Sequence, residues 1–399
     1  MKSFKKEKMK KTAIKLLIFL IPVLSYAQSG YDPILQSIEK NNTTLSALRE
    51  QTEAQKVGNK TGIFLPNPEV MFNYLWSNPK TVGNRTDVSV TQSFDFPTAY
   101  GYKRDIADLQ NSNAEYAYEW EKLKLLLSAK NKVIELIFYN AMINEYAVRR
   151  ENAEKIANTY KSRLEKGDAN ILEVNKAQLN LTKIETEMTS LEAERIALIS
   201  ELKRMNGGNE IFVEQNEFII SPLPDNFDSW YSDTKIPMLN YMKGQIDIAE
   251  EQVKLARALS LPKFNIGYMS EKIIGEHFQG VTVGVSIPLW ENKNSQKFAK
   301  ARMKTTQVML DDSKVQFYNN LQRLYLKASA LEKNLDKFKQ SISTSRNDTL
   351  LKIALDKGEI SLLDYLLEIG HYYDAVIKIL ETERDYELAV AEFMAIELL

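Results

Sequence analysis

Two short stretches decide how this chain folds: Leu164-Glu-Lys-Gly-Asp at residues 164–168 and Leu355-Asp-Lys-Gly-Glu at residues 355–359. Each stretch interrupts a long segment that contains no proline, and in each a lysine precedes the glycine and an acidic residue follows it. Glycine admits the left-handed backbone conformation that ends a helix and allows a sharp reversal. We therefore predict two long helical hairpins, with turns at residues 166–170 and 357–361.

The two turns belong to a duplication with an offset of about 190 residues. Leu65-Pro66 matches Leu261-Pro262, and the segment 88–94 matches the segment 281–287, in the same order along the chain. Each repeat is predicted to contain a helix, two strands and a long helical hairpin. The predicted units are a first repeat at 28–206 with its opening helix at 32–62, a linking segment at 207–235, and a second repeat at 236–399 with its opening helix at 237–259.

The predicted strands alternate apolar and polar residues with a period of two. In segment 86–96, for example, Val88, Val90 and Phe94 alternate with polar side chains. This period predicts strands with one apolar face, and each strand has about ten residues, the length that crosses a bilayer at a tilt. The strands are expected near 67–77, 86–96, 263–271 and 280–290.

Large aromatic residues lie toward the ends of these strands, with Trp76 at one end and Phe94, Phe96 and Trp290 at the other. Such placement is typical of the membrane-interface aromatics of transmembrane barrels. Four strands cannot close a barrel, and every unpaired backbone group in hydrocarbon costs several kcal/mol. Strands that cross a membrane would therefore require several copies of the chain to close one barrel. A soluble sheet packed on a core is the alternative explanation of the same alternation.

The long helices carry apolar seams of the coiled-coil type. The segment from Tyr100 to Glu165 contains no proline and would form a rod of about 100 Å at 1.5 Å per residue. The segment 293–355 repeats this pattern with apolar residues at spacings of three and four. That seam consists of Leu321, Leu324, Ala328, Leu331, Leu335, Phe338 and Ile342.

The first 27 residues have a different composition from the rest of the chain. Seven lysines lie within the first 15 residues, and the apolar run Leu16 to Leu24 and the small residues around Tyr26 follow them. This order is typical of a secretory signal peptide, which we predict at residues 1–27.

Composition argues against several classes of function. The chain has no cysteine and only two histidines, His277 and His371, so thiolate and histidine-rich metal sites are poorly supplied. Lysine and arginine total 52 against 53 acidic residues, which gives no polycationic signature for nucleic acid. No Walker A, HExxH, nucleophile-elbow or Rossmann motif occurs. We expect a protein that is not an enzyme and that uses no metal or cofactor.

The order of these features resembles the TolC-like outer-membrane efflux protein family. In that family each hairpin turn has a glycine followed a few residues later by an acidic-apolar motif, matched here by Leu172-Glu173-Val174 after Gly167 and by Leu363-Asp364-Tyr365-Leu366 after Gly358. The resemblance covers essentially all of the chain after the predicted signal peptide. It implies a mostly α fold with a small β part, in which a homotrimer forms a 12-stranded barrel in outer-membrane lipid and a helical tunnel through the periplasm.

The resemblance also implies roles for residues at the turns. Asp364 matches the acidic gate position, Glu173 is its counterpart in the first repeat, and Glu368 follows Leu367, which stands where the family has its second acid. For Glu173, an acid favoured by the dipole at a helix start is the alternative. The residues expected to dock a periplasmic adaptor, or membrane fusion protein, are Lys166, Gly167, Asp168, Lys357, Gly358 and Glu359.

The predicted function is therefore the outer-membrane exit duct of a tripartite efflux or type I secretion system, connected through an adaptor to an inner-membrane pump. The alternative is a periplasmic coiled-coil adaptor or scaffold without a membrane barrel, which would explain the hairpins equally well. It would not explain two pairs of strands with aromatic ends at matching positions of a duplication.

Overall fold

The computed structural model describes residues 31–234, 236–344 and 347–399, so the predicted signal peptide lies outside the described residues. The first repeat contains α1 (Asp32–Asn41), α2 (Thr43–Asn59), β1 (Glu69–Leu75), β2 (Arg85–Phe94), α3 (Thr98–Glu165) and α4 (Ile171–Met205). The linking segment contains α5 (Phe227–Asp233), and the second repeat contains α6 (Pro237–Ala258), β3 (Lys263–Ile273), β4 (Glu276–Ser286), α7 (Ser295–Thr344), α8 (Asn347–Lys357) and α9 (Leu362–Phe393).

Two long hairpins dominate the fold. In the first, α3 and α4 pack antiparallel, and α3 has 68 residues, a length of about 100 Å. In the second, α7 and α8 pack against α9. The predicted seam of α7 is buried at Leu321, Leu324, Ala328 and Leu335. Burial of these apolar rows stabilises the long helices, because most helical stability in proteins comes from packing of an apolar face rather than from intrinsic propensity.

The four strands form one antiparallel sheet in the order β1-β2-β3-β4. The central pair, β2 and β3, joins the two repeats, so β1 and β4 are the edge strands. In the described part of the chain, no helix is long and apolar enough to span a membrane.

The opening helix expected at 32–62 is divided into α1 and α2 at Asn42. The backbone of Asn42 is extended, and its side chain accepts a hydrogen bond from the Leu45 backbone N–H at 2.9 Å. The same side chain donates to the carbonyl oxygen of Met205, at 2.6 Å, so it caps α2 and ties it to the end of α4. The break therefore satisfies a long-range contact that the local sequence does not reveal.

Both ends of β4 also differ from the predicted ones. β4 begins four residues before the predicted range 280–290, because Gly275, with a φ of 81°, closes a two-residue turn and lets Glu276 pair with Ile273. β4 ends at Ser286, two residues before Pro288, which has no N–H to continue the ladder. The linking segment contains the helix α5, whose start is capped by Asn226 through a 2.9 Å bond from the Ser229 N–H.

The linking segment packs back onto both hairpins. Ile211 and Val213 are buried in one apolar cluster with residues of α1, α3, α4 and α9. Glu387 in α9 is only 1% exposed and accepts hydrogen bonds from the backbone N–H and the hydroxyl of Ser221, at 2.8 and 2.9 Å. These contacts make the middle of the molecule the place where both repeats, the linking segment and the first described residues meet.

Candidate functional site: the sheet face and the hairpin turns

One face of the sheet is mostly apolar across all four strands, and Gln92 and Ser270 are the polar residues nearest its centre. The pairing register places Val70 opposite Val90, Ile266 opposite Val283 and Tyr268 opposite Val281, so the apolar positions of neighbouring strands coincide. This face is exposed in the single chain, as Val283 at 75% and Phe72 at 65% show. Its members are Val70, Phe72, Tyr74, Val88, Val90, Phe94, Phe264, Ile266, Tyr268, Val281, Val283 and Val285.

The opposite face of the sheet is mostly polar, although Met71 and Met269 flank Ser89 on it. Arg85 lies 2.7 Å from a carboxylate oxygen of Asp87 and 3.0 Å from one of Glu271. Asp87 is nearly buried, at 8% exposed, because Asn73 and Glu271 flank it on the neighbouring strands. Adjacent residues such as Thr282 and Val283 therefore point to opposite faces with opposite chemical character.

The predicted membrane-interface aromatics lie at the two ends of the sheet. Trp76 directly follows β1 and is 81% exposed, while Trp290 follows β4 and is 78% exposed. Phe94 and Phe96 lie at the end of β2, where the ring of Phe94 stacks on that of Phe264 with centroids 5.9 Å apart. β2 and β4 are both antiparallel to β3, so their last residues lie at the same end of the sheet. Phe94, Phe96 and Trp290 therefore lie at the end of the sheet opposite to Trp76. Their role at a membrane interface stays a prediction.

The two hairpin turns have the same construction. Gly167 and Gly358 have φ values of 79° and 73°, in the left-handed region. The residue after each glycine donates its N–H to the carbonyl five residues earlier: Asp168 to Arg163 at 2.8 Å, and Glu359 to Ala354 at 2.9 Å. These are the bonds of a Schellman turn, which satisfies the last carbonyls of a helix. The duplication therefore extends to individual backbone hydrogen bonds.

The predicted gate acids cap the returning helices. Glu173 accepts the N–H of Asn170 at 2.9 Å, and its own N–H donates to the Asn170 side chain at 3.0 Å. Asp364 accepts the hydroxyl of Ser361 at 2.6 Å in the equivalent capping box. Such reciprocal bonds satisfy free N–H groups at a helix start. Glu368 lies one turn further on and is exposed.

The hairpins pack side by side at their turns. One buried apolar cluster contains Ala157 and Tyr160 of α3, Ala177 of α4 and Leu362 of α9. The predicted docking residues Lys166, Gly167, Asp168, Lys357, Gly358 and Glu359 are therefore held at one end of the bundle, and all six are exposed. In the part of the chain that the structure describes, no group of three or more metal-ligating side chains is placed to hold an ion.

Arg149 is a buried cation between the hairpins that sequence reasoning missed. Its side chain is 4% exposed, donates to the carbonyl of Tyr373 in α9 at 3.1 Å, and pairs with Glu145 at 3.0 Å. The guanidinium lies over the rings of Tyr146 and Tyr373, 4.8 and 4.2 Å from their centroids. The spacing of residues along α3 could have revealed its burial, because Arg149 falls in the same helical row as the buried residues Met142, Ala153 and Ala157.

Several solved structures share the fold of this chain. No protein-family model matches this chain, and neither does any curated protein. The CmeC outer membrane channel of Campylobacter jejuni superposes with a TM-score of 0.74 at 16% identity, over 92% of this chain and 84% of CmeC. The open-state MtrE outer membrane channel of Neisseria gonorrhoeae gives 0.70 at 13% identity, over 91% and 88%.

A third structure agrees with these two. The outer membrane protein VceC of Vibrio cholerae has a TM-score of 0.71 at 12% identity, over 92% of this chain and 94% of VceC. At such low identities the likeness establishes the fold. The predicted mostly helical fold with duplicated hairpins and a small antiparallel sheet is confirmed, and it is the fold of outer-membrane channels such as CmeC and MtrE.

Proposed function

We propose that this chain is the outer-membrane exit duct of a tripartite efflux or type I secretion system. The observation that carries the proposal is the exposed apolar sheet face, bounded by aromatic ends and opposed by a polar face. A soluble protein rarely leaves a contiguous apolar patch of this kind uncovered. Lipid would cover it, and the polar face would then line an aqueous passage.

The edge strands support assembly from several copies. β1 and β4 each have one row of backbone groups without a partner in the sheet, and hydrocarbon would impose several kcal/mol for each unpaired group. Pairing β1 of one copy with β4 of the next removes both edges. Three copies give a 12-stranded barrel, wide enough to enclose an aqueous lumen, and the proposed state is therefore a homotrimer in the outer membrane.

The length of the hairpins supports the rest of the duct. Helices of about 100 Å carry the two turns far from the sheet, into the periplasm if the sheet lies in the outer membrane. The proposed partners at the turns are a periplasmic adaptor and, through it, an inner-membrane pump that loads the substrate. In the proposed mechanism the chain supplies a passage and no catalytic group.

The proposed gate is a ring of acids at the turn end, made by Asp364, Glu173 and Glu368 of each copy. Three copies of one carboxylate at close range attract cations and repel one another. The capping bonds of Glu173 and Asp364 support the proposal indirectly, because they fix each carboxylate at the start of its helix. The gate opens in this proposal when the adaptor separates the hairpins.

Fractionation and electrophoresis test the duct. The expected protein is extracted from outer membranes only with detergent, migrates as a trimer that heating converts to monomer, and forms ion-conducting channels in planar bilayers. Release with the soluble periplasm as a stable monomer would contradict the duct and favour the scaffold alternative.

The gate is tested by separating charge from capping. Asp364→Asn keeps a side-chain oxygen as hydrogen-bond acceptor but loses the charge, whereas Ser361→Ala loses the hydroxyl of the cap and keeps the charge. We expect Asp364→Asn alone to weaken block by divalent cations in single-channel recordings. Equal block in the wild type and in Asp364→Asn would show that this carboxylate serves only its helix.

A further inference from the structure

A groove lies between the end of α3 and the end of α8, beside the second hairpin turn. It encloses a cavity of about 360 Å³. Its floor is apolar and aromatic, and Tyr160, Leu355 and Tyr365 of this floor are buried. The floor is therefore part of the packing between the two hairpins, and both hairpins contribute walls.

The rim of the groove is basic. Four cationic side chains line it, Lys155, Arg163, Lys352 and Lys357, against the single carboxylate of Asp356. Arg163 lies over the ring of Tyr160, 5.1 Å from its centroid, which fixes this guanidinium at the groove wall.

The chain itself neutralises only part of this charge. Lys155 pairs with Glu151 at 2.5 Å. The pKa of Glu151 is held below its ordinary value by Lys155 and, more weakly, by the charge of Lys352. Within the described ranges, neither Lys352 nor Lys357 forms a salt bridge. Two exposed lysines thus extend beside an apolar floor with no acidic partner of their own.

We propose that this basic groove binds an acidic side chain, flanked by apolar residues, on a helix of the periplasmic adaptor. The inference rests on the proposed function, which places an adaptor at the turns. An acidic side chain complements the lysines, and an apolar neighbour one helical turn away covers the floor, as in other helix-in-groove contacts. The groove admits side chains but not a whole helix, so the partner helix lies across the rim.

Two labelled peptides test the chemistry on the detergent-solubilised full-length protein. Both are helical and carry leucines spaced by four residues; one has glutamates beside the leucines and the other has lysines. We expect the glutamate peptide to bind about tenfold more tightly, since two exposed ion pairs together contribute on the order of 1.4 kcal/mol. Binding should weaken with added salt. Equal affinity for the two peptides would overturn the proposal.

Charge reversal supplies the matched comparison. Lys352→Glu with Lys357→Glu should reverse the peptide preference and abolish efflux in cells, while the trimer still forms in the outer membrane. Lys161→Glu with Lys176→Glu makes the same change of charge at exposed lysines that do not line the groove. This control variant should change neither the peptide preference nor efflux.

The outcomes separate the two proposals. If the wild-type protein forms no outer-membrane trimer, the proposed duct fails and this inference fails with it. If the duct works and the Lys352/Lys357 variant still supports efflux, only the groove assignment is wrong. If that variant loses its trimer instead, the groove is a contact between copies, which also overturns the assignment.

Discussion

At the scale of single residues, the buried carboxyl of Glu387 has the clearest electrostatic consequence. Burial raises its pKa above the ordinary value, although the two hydrogen bonds from Ser221 and the charge of Lys130 oppose the shift. Tyr31 is hydrogen-bonded to the same carboxyl, and burial together with Glu387 raises the pKa of the Tyr31 phenol. The folded state therefore binds this proton more tightly than the unfolded chain does.

The sign of the pH dependence follows from linkage. As pH rises from about 4 through the raised pKa, the free energy of unfolding decreases, because the carboxyl loses its proton more readily in the unfolded chain. Glu387→Gln abolishes the titration. We expect the difference in unfolding free energy between variant and wild type to shift in favour of the variant as pH rises from about 4 to about 8. Denaturant unfolding at several pH values measures this difference in unfolding free energy, and substitution of the exposed Glu392 by glutamine is the control. A difference that does not change with pH would show that the pKa of Glu387 is not raised in the folded state.

At the scale of elements, the second hairpin contains two glycines with opposite requirements. Gly358 has a φ of 73° in the turn, whereas Gly370 lies inside α9, and an added Cβ would meet no atom within 4 Å at either position. Gly358→Ala should cost about 1–2 kcal/mol through backbone strain alone. Gly370→Ala should gain about 0.5–1 kcal/mol, because alanine favours a helix interior. Thermal unfolding measures the melting temperature of both variants, which should fall for Gly358→Ala and rise for Gly370→Ala. Two shifts of the melting temperature in the same direction would refute this description of the turn.

The elements also show what the sequence can and cannot predict. The strands, the turns and the seams were predictable because each depends on a local period or on one glycine. The break at Asn42 was not, because its cause is the Met205 carbonyl, 163 residues away. Arg149 and the basic groove were missed for the same reason, since both exist only where two hairpins pack. The lipid-facing and gating roles depend on neighbouring copies and remain proposals.

At the scale of the whole molecule, the two faces of the sheet make a prediction that one strand can test. Val283→Arg places a charge on the apolar face, and it should cost about 2–4 kcal/mol per copy if that face meets lipid. Thr282→Arg, one residue earlier on the polar face, should insert normally and change only conductance. The yield of heat-sensitive trimer in outer membranes measures the difference. Normal insertion of Val283→Arg would show that lipid does not cover this face.

The contacts of Tyr31 and Asn42 also impose an order of assembly on the chain. Polypeptides are synthesised from their N terminus, so the residues of α1 and α2 emerge long before the groups that hold them. Asn42 finds its acceptor only when Met205 has been synthesised, and the Tyr31 phenol finds Glu387 only much later still. We therefore expect the packing of the first described residues against α4 and α9 to be a late folding event, because these contacts join residues of very high sequence separation.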